Sequence, residues 1–468
     1  MQHFRKLASF LIIGLTASAA LSSQNRPSSG PAVIYEGARL IVGDAATPPI
    51  DNGAFVVQNG LITAIGRTGT VPAPAGAGRV DLTGKTVMPA LVNVHAHFGY
   101  EAFTKAGGDS RAEHYTPQNL QDHFEREAYY GVGTVHDGGT AVVPMSVQFQ
   151  QDQKAGRYPN AAEYASFSPG IVPPHGGPDE ILIQGSRPAK ANYEVVTATE
   201  GRAAVKEIAS KNIKHLKLWI GDRSESYPAM PHQVFNAIIE DAHKNGIMVH
   251  AHAMTLGDQK EIIAAGADLL IHSLPSERVD ADLAALVKAK KPYWVPSIGT
   301  GIGNGYRREV CENEPFTSEL LPAATLEEIL ATDCRPNPNA AQREAAQKAN
   351  FTAMIEAGAR IVLGTDAGIR PSKAFGSAEH HELTTFVRLG LPIATALEAA
   401  TVRAAEVLGR SDVGRLAAGK QADFLVLDAN PLDDILNTRR ISAVYLDGAK
   451  LDRAALLAKF KASTSRTR

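Results

Sequence analysis

The sequence is poor in the features that mark membrane-spanning and nucleic-acid-binding proteins. Past its first residues, no stretch approaches about 18 consecutive uncharged apolar residues, the length that a membrane-spanning helix needs. The formal net charge is −2, and the basic residues are scattered along the chain. No electrostatic footprint therefore indicates a nucleic acid or an anionic membrane as a partner. A composition of 44% hydrophobic and 21% charged residues indicates a globular protein. The partner that we expect is a small-molecule substrate.

Cysteine is almost absent. The two that occur, Cys311 and Cys334, lie within a polar insertion at about residues 299–339. A disulfide that closes this insertion is expected if the protein meets oxidising conditions outside the cytoplasm. Two unpaired thiols are the alternative, because the sequence alone does not determine how close the side chains come. The insertion itself is a candidate lid over a binding site.

The first residues have the order of a secretory signal peptide. Arg5-Lys6 is basic, residues 7–15 are apolar, and Ala17-Ser18-Ala19 offers small residues to a signal peptidase. We expect residues 1–19 to be a cleaved signal and residues 20–31 a disordered lead-in rich in Ser and Pro. The protein would then be exported, either periplasmic or secreted. A retained membrane anchor is the alternative, but it needs a longer apolar run.

Length and patterning predict an α/β protein of two domains. A chain of 468 residues suits one large barrel and a smaller domain. Within residues 87–409, eight apolar strand candidates alternate with helical stretches, which fits a parallel (β/α)₈ TIM barrel better than a doubly wound open sheet. Short β-rich runs occupy residues 32–86 and 410–468, and Asn59-Gly60 is a strong hairpin signal. We expect these two ends to pair into one composite β-sandwich domain.

Side chains of the kinds that bind metals end five of the barrel strand candidates. Residues two apart in a strand face the same side, and the carboxyl ends of barrel strands meet at the mouth, where catalytic groups lie. The side chains concerned belong to His95-Ala96-His97, Lys217, His250-Ala251-His252, His272 and Asp366. Any one of the 15 histidines could be an ordinary buried side chain. Convergence of five strand ends on one mouth predicts a site.

Lys217 is the most informative of these residues. Leu216 and Leu218 have the parity of the helix-packed outer face, so Lys217 should point into the barrel, whereas Lys214 should not. A lysine inside a barrel is costly to desolvate unless it is neutralised or takes part in chemistry. A buried pair with an aspartate is the structural alternative.

The sequence closely resembles the amidohydrolase superfamily and, within it, the imidazolonepropionase-like and Xaa-Pro dipeptidase-like branch. The resemblance covers nearly all of the chain after the signal. It is carried by MPALVNVHAH at residues 88–97, GTD at 364–366, ALEAAT at 396–401 and GRLAAGKQADF at 414–424. These motifs are specific for the superfamily and much less so for any substrate. The chain departs from the branch in having His136 where an arginine is common and Ala90 where glycine is usual.

The resemblance implies two divalent metal ions, usually zinc. The implied ligands are His95, His97 and Asp366 for the first ion and His252 and His272 for the second. Lys217, carboxylated by carbon dioxide, would bridge both ions, and this would convert a buried cation into an anionic oxygen ligand. His250 is the alternative to His252 as a ligand, or it lines the substrate pocket.

Such a site predicts hydrolysis of a C–N bond in an amide, a dipeptide or an N-acyl amino acid. Two cations lower the pKa of a bridging water, and the hydroxide would attack the substrate carbonyl. Asp366 would accept the proton and pass it to the leaving nitrogen. His175, His250 and Arg223 are candidates for binding the oxyanion or a substrate carboxylate. A structural turn at His175 and a surface position for Arg223 are the alternatives.

Two other functions stay open at this point. One is a mononuclear cyclic amidohydrolase or deaminase of the same superfamily, in which Lys217 would not be carboxylated. The other is a barrel that binds a ligand without turnover, against which the intact set of ligand-type residues argues. A homo-oligomer is expected only at the level of the superfamily, and the sequence does not identify the substrate.

Overall fold

The computed structural model describes residues 30–104, 107–178, 192–221, 228–298, 311, 315–332, 334, 338–368 and 374–465. The signal peptide expected at residues 1–19, nearly all of the lead-in at 20–31 and the candidate residue Arg223 lie outside the described residues. Within the described part of the chain, no helix has both the length and the apolar character needed to cross a membrane.

The chain alternates strands and helices after a strand-rich beginning. The strands are β1 (Val33–Leu40), β2 (Ile50–Gln58), β3 (Leu61–Arg67), β4 (Gly78–Asp81), β5 (Thr86–Pro89), β6 (Leu91–Ala96), β7 (Glu101–Thr104), β8 (Gly107–Ser110), β9 (Val132–Gly138), β10 (Glu163–Ser168), β11 (Gly170–Val172), β12 (Asn192–Glu194), β13 (His215–Trp219), β14 (Met248–His252), β15 (Leu269–Ile271), β16 (Tyr293–Val295), β17 (Arg360–Ile361), β18 (Phe424–Leu427), β19 (Ile441–Leu446) and β20 (Ala449–Lys450).

The helices follow the same order. They are α1 (Pro117–Tyr129), α2 (Val143–Lys154), α3 (Ala198–Ser210), α4 (His232–Lys244), α5 (Leu256–Ala265), α6 (Ala281–Lys290), α7 (Pro315–Ser318), α8 (Ala323–Thr332), α9 (Ala340–Glu356), α10 (Ser377–Arg388), α11 (Ile393–Ala399), α12 (Val402–Val407) and α13 (Arg453–Ser465). Two short 3₁₀ helices span Ala112–His114 and Ile435–Arg439.

Strands from both ends of the chain form one mixed sheet. Its order is β20-β19-β18-β5-β1-β2-β3, with β4 beside β1, and the antiparallel β18–β5 pair joins the two chain ends directly. One face carries a cluster of aromatic rings around Tyr35 and Phe55. A β-sandwich was expected, but the described strands belong to a single connected sheet. At β1 and β2, loop residues such as Val71 cover the second face, so no second sheet is needed to bury it there.

The parallel strands make a TIM-barrel-like α/β region. They belong to a sheet of order β10-β9-β6 and to another of order β12-β11-β13-β14-β15-β16-β17. Backbone hydrogen bonds link the two: Val94 N donates to Leu363 O (3.1 Å), and Lys217 N donates to Pro169 O (2.9 Å). The described strands do not form one continuous eight-stranded sheet, because β17 is short and the pairing of β6 with β9 is irregular between Asn93 and Ala96.

Burial of the outer face determines which way β13 presents its side chains. Leu216, Leu218 and the following Ile220 are buried in the core that the helices α3 and α4 share with the strands. Burying each of these side chains contributes about 1.5–3 kcal/mol to the stability of the folded protein. A one-residue shift in register would lose this stabilisation and place Lys217 in the apolar layer. The strand therefore holds Lys217 on its inner face, where only 1% of the residue is exposed.

A disulfide joins Cys311 and Cys334, with their Cα atoms 5.5 Å apart. This decides between the two states that the sequence left open. The helices α7 and α8 lie between the two cysteines, and the chain within and just after α7 is attached to α1 and to Tyr130, the residue that follows α1. The Tyr130 hydroxyl donates to Phe316 O (2.9 Å), and the Arg126 guanidinium donates to Leu320 O (2.7 Å). The helix α8 contacts the β7–β8 hairpin that follows β6. Whether the insertion acts as a lid stays a prediction.

Candidate metal centre

Three of the expected ligands meet at one carboxylate oxygen. Oδ1 of Asp366 lies 3.0 Å from Nε2 of His97 and 3.3 Å from Nε2 of His95. Nζ of Lys217 lies 3.5 Å from Nε2 of His95. Both histidines and the lysine are buried, whereas 15% of the Asp366 side chain is exposed. The cluster is therefore closed on the barrel side and accessible at Asp366.

His252 and His272 complete the group. Their ring centroids lie 4.6 Å apart, and the ring of His272 lies 5.9 Å from that of His95. Ligand atoms of His95, His272 and Asp366 all fall within 4.8 Å of one another. The structure thus brings together the six side chains that the sequence analysis assigned as ligands.

Two other expected site residues, His250 and His175, are not part of this group. His250 is fully buried, and its Nε2 lies 3.1 Å from Nδ1 of His215. His175 is exposed and has a left-handed backbone with φ 66°. Arg223 lies outside the described residues. Alternation along a strand places both His250 and His252 on the inner face, but it does not give their depth in the barrel.

Two strand ends turn sharply to present their side chains. His272 and Asp366 have φ values of 79° and 60°, in the left-handed region that non-glycine residues seldom adopt. Each such conformation costs about 1–3 kcal/mol and persists only where the surroundings enforce it. At Asp366 the surroundings include its own amide, which donates to His95 O at 2.9 Å, as does that of Thr365.

A hydrogen-bond chain sets the protonation of His97. The Thr140 hydroxyl donates to Oδ1 of Asp137 (3.0 Å), so its oxygen is left to accept from Nδ1 of His97 (3.1 Å). Nε2 of His97 then presents a lone pair, as a metal ligand must. Burial raises the pKa of Asp137 to about 7, while hydrogen bonds from Thr140 and Tyr164 oppose the shift.

Two glycines that the sequence analysis did not assign to the site make room for it. A Cβ atom at Gly138 would lie 2.2 Å from Nδ1 of His95. At Gly139, where φ is +97°, a Cβ atom would lie 2.5 Å from Cγ of Lys217. The run Asp137-Gly138-Gly139 at the end of β9 was the available signal. Its meaning depends on side chains from distant strands.

Burial lowers the pKa values of two basic groups in the cluster, His95 and Lys217. Burial, and then the charge of Lys217, hold the pKa of His95 well below its usual value. Burial lowers the pKa of Lys217 to about 7, with Asp366 opposing the shift. A neutral imidazole can bind a metal, and an uncharged amine is the form that reacts with carbon dioxide.

The donor set fits a divalent metal ion. Nitrogen and oxygen ligands lie about 2.0–2.2 Å from zinc, so neighbouring ligand atoms of a tetrahedral site are about 3.3–3.6 Å apart. The separations among Asp366, His95 and His97 are 3.0 and 3.3 Å. The unprotonated Nε2 of His97 faces the Asp366 carboxylate, so two acceptors oppose each other. A cation between them would satisfy both.

Comparison with known proteins identifies the family. The family model described as "Amidohydrolase family" matches residues 86–451. The chain belongs to the amidohydrolase family. This confirms the superfamily that the motifs indicated, and with it a hydrolase that acts on carbon–nitrogen bonds. Members of the family generally use divalent metal ions, which agrees with the donor set.

Three similar proteins show how far this amidohydrolase resembles known ones. A 5-methylthioadenosine/S-adenosylhomocysteine deaminase of Bacillus cereus (strain AH820) is 25% identical over 457 residues, covering 89% of this chain and 93% of the relative. A putative prolidase from Bifidobacterium longum has a TM-score of 0.67 at 23% identity, covering 92% of this chain and 99% of that one. An Xaa-Pro dipeptidase with bound methionine has a TM-score of 0.67 at 21% identity, covering 90% and 99%. The two structures support the fold.

Proposed function

We propose that this chain is an exported, binuclear, metal-dependent amidohydrolase that cleaves the C–N bond of a dipeptide, an N-acyl amino acid or a related amide. One observation carries the proposal. Lys217 is buried on the inner face of β13, with Nζ 3.5 Å from the imidazole of His95 and within a group of metal-ligand side chains. A site for one metal does not need a lysine at this position, whereas a carboxylated lysine there would bridge two metals.

Each ligand has a place in this proposal. His95, His97 and Asp366 would hold one divalent ion, and His252 and His272 would hold the other. Zinc suits the imidazole and carboxylate donors. When bound, the two ions supply an activated water and polarise the substrate carbonyl.

The protein side chains direct the proton. Asp366 has the exposed oxygen-bearing side chain of the cluster, so it can accept a proton from water at a carboxylate oxygen and deliver it to the leaving nitrogen. His97 would not take this role, because its Nδ1 donates to Thr140 and its Nε2 would be bound to the metal ion. The ring of Trp219, whose centroid lies 5.0 Å from Nζ of Lys217, keeps water from the lysine side of the site.

The decisive experiment compares two lysines that are three residues apart, Lys217 and Lys214. Lys217→Ala should lose one or both metals and lower kcat by several orders of magnitude, because the bridge holds both ions in place. Propionate should restore part of the activity by replacing the missing carbamate. Lys214 is exposed, so Lys214→Ala should keep two metals and near-native turnover. Metal content and turnover of dipeptides ending in proline, N-acyl amino acids, lactams and carbamates are the measurements. Two metals and full turnover in Lys217→Ala would refute the binuclear site.

A deaminase is the second candidate, because the curated relatives that match over most of the chain are named as deaminases. It would release ammonia from 5-methylthioadenosine or S-adenosylhomocysteine with one metal per chain and an unmodified Lys217. One equivalent of metal, together with ammonia release from these nucleosides, would favour it over the amide hydrolase.

Export is supported by the signal-like order of residues 1–19 and by the Cys311–Cys334 disulfide, since such bonds persist mainly outside the cytoplasm. Expressed in a Gram-negative host, the mature protein should begin near Ala20 or Leu21. Amino-terminal sequencing that finds Met1 on a fully active cytosolic enzyme would refute export.

A further inference from the structure

Two carboxyl groups lie together behind the candidate metal centre, outside the proposed set of ligands. Glu127 on α1 and Glu379 on α10 are both fully buried, and their side chains are within hydrogen-bonding range of each other. Neither oxygen of Glu127 has a well-aligned protein donor among the described residues, although the backbone of Gly376 approaches it. Contact between the two groups therefore requires a proton on one of them.

Hydrogen bonds to Glu379 favour a proton on Glu127. Oε1 of Glu379 accepts from Nδ2 of Asn93 (2.5 Å) and from the Thr365 hydroxyl (3.2 Å). These two donors stabilise the ionised form of Glu379, whose Oε2 can then accept from a protonated Glu127. Burial and the neighbouring Glu379 raise the pKa of Glu127 well above its usual value, which is consistent with a proton held there.

The same oxygen is connected to both ligand-bearing strand ends. Oδ1 of Asn93 accepts from His95 N (2.9 Å), and Oγ1 of Thr365 accepts from Ala367 N (3.3 Å). Asn93 also donates to Oγ1 of Thr365 (3.2 Å). The amides held in this way belong to His95 itself and to Ala367, the residue after Asp366. Asp366 is the residue in the left-handed conformation.

Other charged side chains on the two helices face elsewhere. On α1, Glu125 contacts Lys459, and Arg126 pairs with Asp122. On α10, the ring nitrogens of His380 contact Thr438 and Tyr130 O, and Glu382 accepts from Ile298 N. Packing alone would favour an apolar pair between the helices, because a buried carboxylate is costly unless it is well hydrogen-bonded.

We propose that Glu379, with a protonated Glu127 behind it, is a positioning residue that holds the strand ends of His95 and Asp366 in their metal-binding arrangement through Asn93 and Thr365. Its catalytic consequence rests on the proposed function. The hydrogen-bond network itself does not.

The test uses conservative rescue in the full mature chain. Glu379→Leu removes the acceptor that Asn93 and Thr365 share, so the affinity for Zn²⁺ should fall about 10–100-fold, as is usual when a group supporting metal ligands is lost. Glu379→Gln should restore affinity to within about threefold, because its carbonyl oxygen can accept both hydrogen bonds and its amide can donate to Glu127. Glu125→Gln is the control. Glu125 is a buried carboxyl on α1, the helix of Glu127, but it faces Lys459, so this variant should leave Zn²⁺ affinity unchanged.

Thr365→Val and Thr365→Ser give a second test if Glu379→Leu does not fold. Valine removes the hydroxyl relay and should weaken Zn²⁺ binding, whereas serine keeps it and should not. Native Zn²⁺ affinity in a folded Glu379→Leu or in Thr365→Val, or a Glu379→Gln variant as weak as Glu379→Leu, would overturn the proposal.

Two readouts need no metal and no turnover. The infrared difference spectrum between the wild type and Glu127→Gln should contain the band of a protonated carboxyl. Amide exchange at residues 91–96 and 365–367 should speed up in Glu379→Leu and in Thr365→Val but not in Glu125→Gln. If the wild type hydrolysed no amide yet showed these results, the proposed function would fail and the positioning network would stand. If this difference band were absent, or exchange did not change, the network would be refuted.

Discussion

Two clusters of buried histidines share the interior of this barrel-like region, and they differ in what surrounds them. In the first, His95 and His97 face the Asp366 carboxylate, with Lys217 beside them. In the second, His136, His215 and His250 contact one another, with ring centroids 4.8–5.1 Å apart. The first cluster meets solvent at Asp366, whereas His136 and His250 are fully buried.

The difference separates histidines that can bind a metal from histidines that fill space. In the second cluster the ring nitrogens of His136 contact the hydroxyls of Ser166 and Ser168, at 2.8 and 3.2 Å. Burial and the neighbouring histidines hold the pKa values of His136 and His250 well below the usual range, so these rings stay neutral. A carboxylate with solvent access is what the second cluster lacks among the described residues. We infer that it is structural.

The largest effect should come from removing that carboxylate. Asp366→Asn keeps the size of the side chain but removes the base and weakens a ligand, so kcat/KM should fall at least 10²–10⁴-fold. His136→Asn, in the second cluster, should change kcat/KM by less than about tenfold. Steady-state kinetics on the best substrate of the amide panel is the measurement. Similar losses in both variants would mean that the two clusters act as one site.

A smaller effect is expected at the glycine that admits Lys217. In Gly139→Ala the new methyl group would meet Lys217 and Trp219, at a backbone φ of +97° that alanine tolerates poorly. Overpacking costs about 1–3 kcal/mol, and the strained backbone adds about 1 kcal/mol. The unfolding temperature and the metal content of Gly139→Ala should both be lower than those of the wild type.

Gly156→Ala is the matched control for this glycine. Its φ is +81°, and nothing lies within 4 Å of the position of the new Cβ atom. It should show only the backbone part of the destabilisation and keep its metals. Equal unfolding temperatures for the two variants would show that the fit around Lys217 is not tight.

Strand alternation predicted which side chains face one another at the strand ends but not what supports them. The inner parity of Lys217 and the strand-end positions of His95 and Asp366 follow from local pattern, because the outer positions of each strand must be apolar. Glu379 is 286 residues from Asn93, and its role depends on a contact between a helix and a strand end that no local pattern encodes. In the sequence, Gly138 is only one residue of the run Asp137-Gly138-Gly139. Its function is to leave space for the ring of His95, which comes from another strand.

The smallest effect should distinguish two histidines on a single strand. His250 and His252 have the same parity on β14, and sequence analysis made His250 a candidate for substrate binding. In the structure, His250 pairs with Lys217 in the sheet register and contacts His215, whereas the ring of His252 meets that of His272 edge to face. His250→Gln can keep a hydrogen bond to His215, so KM should stay within about threefold, with a stability loss of about 1–2 kcal/mol. A tenfold or larger rise in KM with unchanged metal content would restore His250 to the substrate pocket.

The same change at His252 should remove one metal, because Gln is a poor replacement for an imidazole ligand. If His250→Gln lost the metal and His252→Gln kept it, the assignment of the two side chains would be reversed. His250 would then belong to the metal cluster, and the boundary between the two histidine clusters would lie two residues further into the sheet along β14.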